Sequence, residues 1–299
     1  PRTPHAPPGR LRAGAGPRGQ EGPGRARAGG GALKPIAILG GGNLGRALAL
    51  GWVAADLAQA GEIHLTRRQT SKLADLEEAG FRVGDDNLAA VSGADVVVLA
   101  VQPQQLDELL AEIGGRLDPT RHRVVSVVSG ASIARLRDAL GADVAIVRAM
   151  PNTAVAIGES MTCLSAEEGA GAALEEAEAL FEAVGRTLVI REEMMGTGTE
   201  QCDCGVGVFL RCVRAASQGG IEIGFHPEEA LLLAGQTARG AAALSLKEDS
   251  HPEGEIDRVT TPRGCTIAGL NEMEHQGLSS ALIKGLIVSA RAAEGLYRD

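Results

Sequence analysis

The stretch Ile36-Ala37-Ile38-Leu39-Gly40-Gly41-Gly42-Asn43-Leu44-Gly45 decides how this chain is read. An apolar run is followed by a glycine cluster, and a helical pattern opens at Asn43, so strand, tight turn and helix succeed one another directly. In that context GxGxxG has a mechanical meaning. Gly40 permits the sharp turn, Gly42 lets the backbone approach a pyrophosphate, and Gly45 lets the helix lie close on the strand. The amides of Asn43 and Leu44, at the helix start, face the phosphate. The segment predicts the first βα turn of a dinucleotide-binding domain.

Outward from this turn, short apolar runs alternate with helical patterns, as in a parallel sheet with crossover helices. Strands are predicted at Ile36–Leu39, Ile63–Thr66, Phe81–Val83, Val96–Val101, Arg123–Val128, Val144–Ala149 and Thr187–Ile190, with helices starting near Asn43, Ser71, Gln104, Ser132 and Ala166. This is an α/β, Rossmann-type, doubly wound domain over 35–191. Beyond Glu192 the apolar residues recur at helical spacing in Val206–Gln218, Pro227–Leu246 and Leu278–Leu296. An all-helical domain over 192–299 follows. Its small, apolar helix faces are better buried against a second copy than left to a unit of that size, which predicts a homodimer.

Residues 1–34 are almost entirely Gly, Pro, Arg and Ala, a composition that predicts a disordered basic tail. Up to Leu33, six arginines (Arg2, Arg10, Arg12, Arg18, Arg25, Arg27) against Glu21 give +5, leaving −14 for the rest of a chain of net charge −9. The tail has no apolar core of a secretory signal, and no stretch reaches the length of a membrane span. An acidic body with only Lys34, Lys72, Lys247 and Lys284 as lysines argues against a nucleic-acid groove. Five cysteines, an odd count, fit reduced thiols and a cytoplasmic location. Cys202 and Cys204 are close in sequence, but no further Cys or His stands near at ligand spacing, so no metal is expected.

Cofactor discrimination belongs at the end of the second strand, where NAD enzymes place an acid on the ribose. Here the chain reads Thr66-Arg67-Arg68-Gln69, with a hydroxyl and two guanidiniums. That set suits the 2′-phosphate of NADPH better than NADH. The fourth strand ends in Ala100-Val101-Gln102-Pro103, at the carboxyl edge where ligands bind, and Asn152 offers an amide at the same edge after the sixth strand.

Together, the Gly40–Gly45 fingerprint, Ala100-Val-Gln-Pro-Gln104, Met150-Pro-Asn-Thr153 and the late Val259-Thr-Thr-Pro262-Arg-Gly264-Cys-Thr266 resemble the pyrroline-5-carboxylate reductase family, in order and spacing from Ile36 to about Ala292. The resemblance implies NADPH-dependent reduction of the cyclic imine pyrroline-5-carboxylate to proline, by homodimers that in the family often assemble into rings. It also implies that Thr261, Arg263, Gly264, Cys265 and Thr266 hold the substrate carboxylate, with the Thr266 hydroxyl beside the imine nitrogen. Residue chemistry agrees: Thr261 is a good N-cap, Pro262 suits the first helical position, and the amides that follow make an anion site.

Three positions depart from the family pattern, which has lysine where Gln102 stands, glycine where Arg263 stands, and a Ser-Gly-Ser-Gly-like run at Cys202-Asp203-Cys204-Gly205. Two other readings compete. A β-hydroxyacid dehydrogenase or another imine reductase shares the architecture, but the dehydrogenase needs a catalytic lysine in the helical half, and of the lysines there, Lys247 and Lys284, neither sits in a Gly-rich helix opening. A binding protein that holds NADPH without turnover is the other, motivated by Gln102, Asp203 and Arg263.

Overall fold

The computed structural model describes residues 35–296, apart from 142, 200, 201 and 203. The expected tail, 1–34, lies outside the described residues. The chain divides into two compact units, one up to residue 203 and one beginning at Cys204.

In the first unit, strands β1 (Ile36–Leu39), β2 (Ile63–Thr66), β3 (Arg82–Gly84), β4 (Val96–Leu99), β5 (Arg123–Ser126), β6 (Ala145–Met150), β7 (Ser160–Ala166) and β8 (Gly185–Val189) form one sheet. Its order is β3-β2-β1-β4-β5-β6-β7-β8. Neighbours are parallel except β6 and β7. Every residue of β1 and β4 is buried, because helices cover both faces.

Alternation sorts the side chains. Ile36 and Ile38 enter a core with α1 (Asn43–Ala54), α2 (Ala74–Glu78) and α6 (Gly171–Glu182). Ala37 and Leu39 enter the opposite core, with α3 (Asn87–Ser92), α4 (Leu106–Ile113) and α5 (Ile133–Leu140). The fold is doubly wound. Trp52 locks α1 to α6: its buried indole N–H donates to the Leu180 carbonyl at 2.8 Å, and its ring meets Phe181 edge-on at 6.2 Å. Such an aromatic pair adds about 0.5–1.5 kcal/mol beyond its area.

The structure departs from the sequence reading in places. Strand β7 was not predicted, and the helix expected from Ala166 begins at Gly171. The link from β6 to β7 is a short 3-10 turn, Thr153–Ile157, and a connection that short returns the chain antiparallel, since a parallel return needs a crossover of about a dozen residues or more. Helix α3 is also new, too short for periodicity to reveal, and capped by the Asp86 carboxylate accepting from the Ala89 amide at 2.9 Å. Strands β4 and β5 end at Leu99 and Ser126 rather than at Val101 and Val128. Helix α7 (Met195–Thr199) belongs to the first unit, where Met195 is fully buried with Met150 and Cys163.

The second unit is α8 (Gly205–Glu222), α9 (Pro227–Ser245), α10 (Pro252–Val259), α11 (Cys265–His275) and α12 (Leu278–Leu296). Helices α8 and α9 form a hairpin turned at Gly224, φ +111°, and Pro227 opens α9 where a helix needs no N–H. A Cβ on Gly220 would lie 3.1 Å from that of Ala230, so a small residue sets the helix spacing. Among the described residues of this unit only Gly205, Ser217 and Ala230 are buried, while Phe209, Leu210, Leu232, Ile283 and Val288 are exposed. Apolar surface on that scale marks an association face. Among the described residues, no helix is long and apolar enough to cross a membrane.

Candidate active site

The glycine turn is built by contacts that leave one side open. The Gly40 and Gly41 amides donate to the Thr66 carbonyl at 3.2 and 2.7 Å, pinning the turn to the end of β2. Gly40 sits at φ +119°, and a Cβ there would stand 2.4 Å from the Ala100 carbonyl oxygen. The turn and the end of β4 are therefore in direct backbone contact, which brings Gly40, Ala100 and Val101 together. A Cβ on Gly45 would lie 2.2 Å from the Gly40 oxygen and 3.1 Å from Ile38 Cγ2, so only glycine lets α1 lie this close. Around Gly42 nothing stands within 4 Å of a Cβ position. Gly42 is the N-cap of α1 with no side-chain cap, and the first turn holds no acid. The open amides of the helix start, beside a glycine facing free space, fit a dinucleotide's pyrophosphate.

At the end of β2 the predicted residues have separate fates. Arg67 Nη1 donates to the Gly41 carbonyl at 2.8 Å, so its half-buried guanidinium is part of the glycine turn. Arg68 is exposed and forms an ion pair with Glu108. Thr66 is buried, and its hydroxyl donates to Asn87 Oδ1 at 2.6 Å. Asn87 in turn donates to Glu112 at 2.8 Å. Sequence reasoning missed Asn87, Glu108 and Glu112. Glu108 and Glu112 stand one turn apart on α4, opposite the buried Leu106, Leu109, Leu110 and Ile113, a pattern that marks an acidic ridge but not what it meets. Arg46 on α1 forms a bidentate pair with Asp75, whose carboxyl is held below its ordinary range chiefly by that hydrogen bond.

Gln102 is exposed at the start of the 3-10 turn Pro103–Gln105, just past β4. Asn152 is placed differently from an open ligand. It is buried, its Oδ1 accepts from the Ala154 amide at 3.0 Å, and its Nδ2 donates to the Cys202 carbonyl at 3.3 Å. Its amide is a structural brace. Nearby, Cys163 and Cys202 have their sulfurs 3.8 Å apart, and the contact with Cys202 together with burial pushes the Cys163 thiol up. Asp203 lies outside the described residues.

In the helical unit, Gly264 donates its amide to the Thr261 carbonyl at 2.8 Å, closing a turn with Pro262 and Arg263 at its centre. Arg263 is at φ +60°, in the left-handed region that glycine favours. Gly264, not Thr261, is the N-cap of α11, and the helix begins at Cys265 rather than at Pro262. The positive φ is the reason: the chain cannot be helical through Arg263. No side chain caps α11 and its first turn holds no acid, so the amides that open the helix are left uncapped, and Thr266 in that first turn is exposed. Lys247 is exposed just past α9, and Lys284 is exposed on α12.

Comparison with known proteins follows the two units. Residues 35–130 match the family described as "NADP oxidoreductase coenzyme F420-dependent", and residues 192–296 match "Pyrroline-5-carboxylate reductase dimerisation". Pyrroline-5-carboxylate reductase 2 of Dictyostelium discoideum is 47% identical over 273 residues, covering 86% of this chain and 91% of that protein. The chain belongs to the pyrroline-5-carboxylate reductase family. Another member, pyrroline-5-carboxylate reductase 1 of the same organism, is also 47% identical, over 88% of this chain but 50% of its own length, so the chain spans about half of that relative. The solved pyrroline-5-carboxylate reductase of Coxiella burnetii superposes with a TM-score of 0.81 at 29% identity, over 89% of this chain and 99% of that one. The NADP-oxidoreductase match thus falls within the first unit, and the dimerisation match begins at residue 192.

Proposed function

We propose that this chain reduces pyrroline-5-carboxylate to proline with NADPH, as a cytoplasmic homodimer whose dimers assemble further into a ring. The observation that carries the cofactor reading is the open phosphate cradle: Gly42 with no neighbour within 4 Å of a Cβ, before a helix start with no side-chain cap. Gly40, Gly42, Asn43, Leu44 and Gly45 hold the pyrophosphate, Ala100, Val101, Gln102 and Pro103 line the path from β4, and Arg67 and Arg68 receive the 2′-phosphate. Thr66 and Asn152 support the site from behind rather than touching the cofactor. A carboxylate on the uncapped start of α11 is the substrate's grip, shared by Thr261, Arg263, Gly264, Cys265 and Thr266.

The cofactor supplies the hydride when bound. The chain's own task is to position the imine and to keep it protonated, for which the Thr266 hydroxyl serves as the nearby hydrogen-bonding group. Oxidation of NADPH on addition of pyrroline-5-carboxylate, run beside a six-membered cyclic imine, tests the activity. No oxidation above background would refute it, and preference for the larger ring would replace it with the related imine-reductase reading. Sedimentation mass tests the dimer and the ring, and the exposed Phe209, Leu210, Leu232, Ile283 and Val288 support the dimer.

A further inference from the structure

The end of β2 presents two arginines, yet neither guanidinium stands unengaged. Arg67 is tied to the Gly41 carbonyl at 2.8 Å, and Arg68 is paired with Glu108 from the first turn of α4. One turn later Glu112 accepts from Asn87, which accepts the Thr66 hydroxyl. Helix α4 therefore sets two carboxylates against the place where a doubly wound sheet receives the ribose of a dinucleotide. A 2′-phosphate reaching Arg68 must take it from a group of its own sign. A 2′-hydroxyl meets no such competition, and an acid near the ribose is the feature by which such sheets hold the unphosphorylated cofactor.

From this juxtaposition, and resting on the NADPH reading above, we infer that Glu108 is a specificity-determining residue. It competes with the 2′-phosphate for Arg68 and so narrows the preference for NADPH over NADH. The Arg68–Glu108 pair is exposed on both sides, 70% and 73%, so it exchanges readily with a ligand. Exposed pairs of this kind change an equilibrium by about two- to five-fold.

Fluorescence titration of the full chain with NADPH and with NADH tests the inference in four proteins: the parent, Glu108→Gln, Arg68→Ala and the double variant. Glu108→Gln is expected to tighten NADPH by about two- to five-fold and to leave NADH unchanged or weaker. In the Arg68→Ala background the gain should vanish. Equal tightening of both cofactors, no tightening of NADPH, or a gain that persists without Arg68 would each overturn the inference. The NADPH reading fails separately: it falls if Arg68→Ala weakens both cofactors alike, whereas selective loss of NADPH with an inert Glu108→Gln removes only the role of Glu108. Thermal midpoints of the four proteins, expected to be alike at these exposed positions, show that binding changes are not changes in folding.

Discussion

Two glycines three residues apart should respond oppositely to the same added methyl. On Gly45 a Cβ would stand 2.2 Å from the Gly40 carbonyl oxygen, whereas ordinary carbon–oxygen contacts lie near 3.3 Å, so α1 must retreat by roughly 1 Å. The obstacle is backbone, which no rotamer change relieves. Overpacking of this kind costs up to about 3 kcal/mol, and replacing glycine by alanine inside a helix returns about 1, leaving a net loss near 2 kcal/mol for Gly45→Ala. For a domain of this size that lowers the thermal midpoint by roughly 4–8 °C.

On Gly42 the same methyl meets nothing within 4 Å, and the folded chain loses less than about 1 kcal/mol from a poorer N-cap. It does fill the space in which a phosphate meets the helix amides. NADPH should then bind at least ten-fold more weakly, a loss of about 1.4 kcal/mol. Thermal melts without cofactor and fluorescence titration with NADPH separate the two effects. A Gly45→Ala protein as stable as the parent, or a Gly42→Ala protein with undiminished NADPH affinity, would refute the assignment of packing to one glycine and phosphate approach to the other.

Three further predictions test other parts of the chain. Thr266→Ala removes an exposed hydroxyl and should lower kcat by about ten- to a hundred-fold while stability changes by less than about 0.5 kcal/mol; unchanged steady-state kinetics would take Thr266 out of the site. Arg263→Gly should leave the chain equally stable or up to about 1 kcal/mol more stable in a denaturant titration, because relief of the positive φ outweighs or matches the flexibility of glycine, and clear destabilisation would contradict the turn geometry. Cys163, raised by Cys202 and by burial, should resist alkylation in the native chain and react once urea unfolds it. Because its folded pKa exceeds the unfolded one, its contribution to stability is complete below the unfolded thiol's pKa and declines as pH rises above it, so the parent's thermal midpoint should fall more steeply with pH there than that of Cys163→Ser; equal slopes would contradict that sign.

Legibility varied with how local each feature is. The turn at Gly40–Gly45 was readable because sterics within a few residues force glycine there. Strand β7 was not, because Ser160, Thr162 and Ser165 are buried polar residues and spoil any apolar signature; Ser160 and Thr162 satisfy each other at 3.2 Å. Asn152 looked like an open ligand amide until the fold supplied Ala154 and Cys202 as its partners. Thr261 looked like a helix cap until the positive φ of Arg263 moved the helix start to Cys265.

Residue order alone established the doubly wound class, the glycine turn, the switch to helices and the family, since each rests on short-range periodicity, turn sterics or contiguous motifs. Contacts between distant segments were settled by the folded chain. Arg68 meets Glu108 across 40 positions and Trp52 meets Leu180 across 128, and no local pattern encodes such pairings. They arise because crossover helices lay remote stretches over the same strand ends, so the charge that a cofactor encounters is fixed by packing and not by neighbours in the chain.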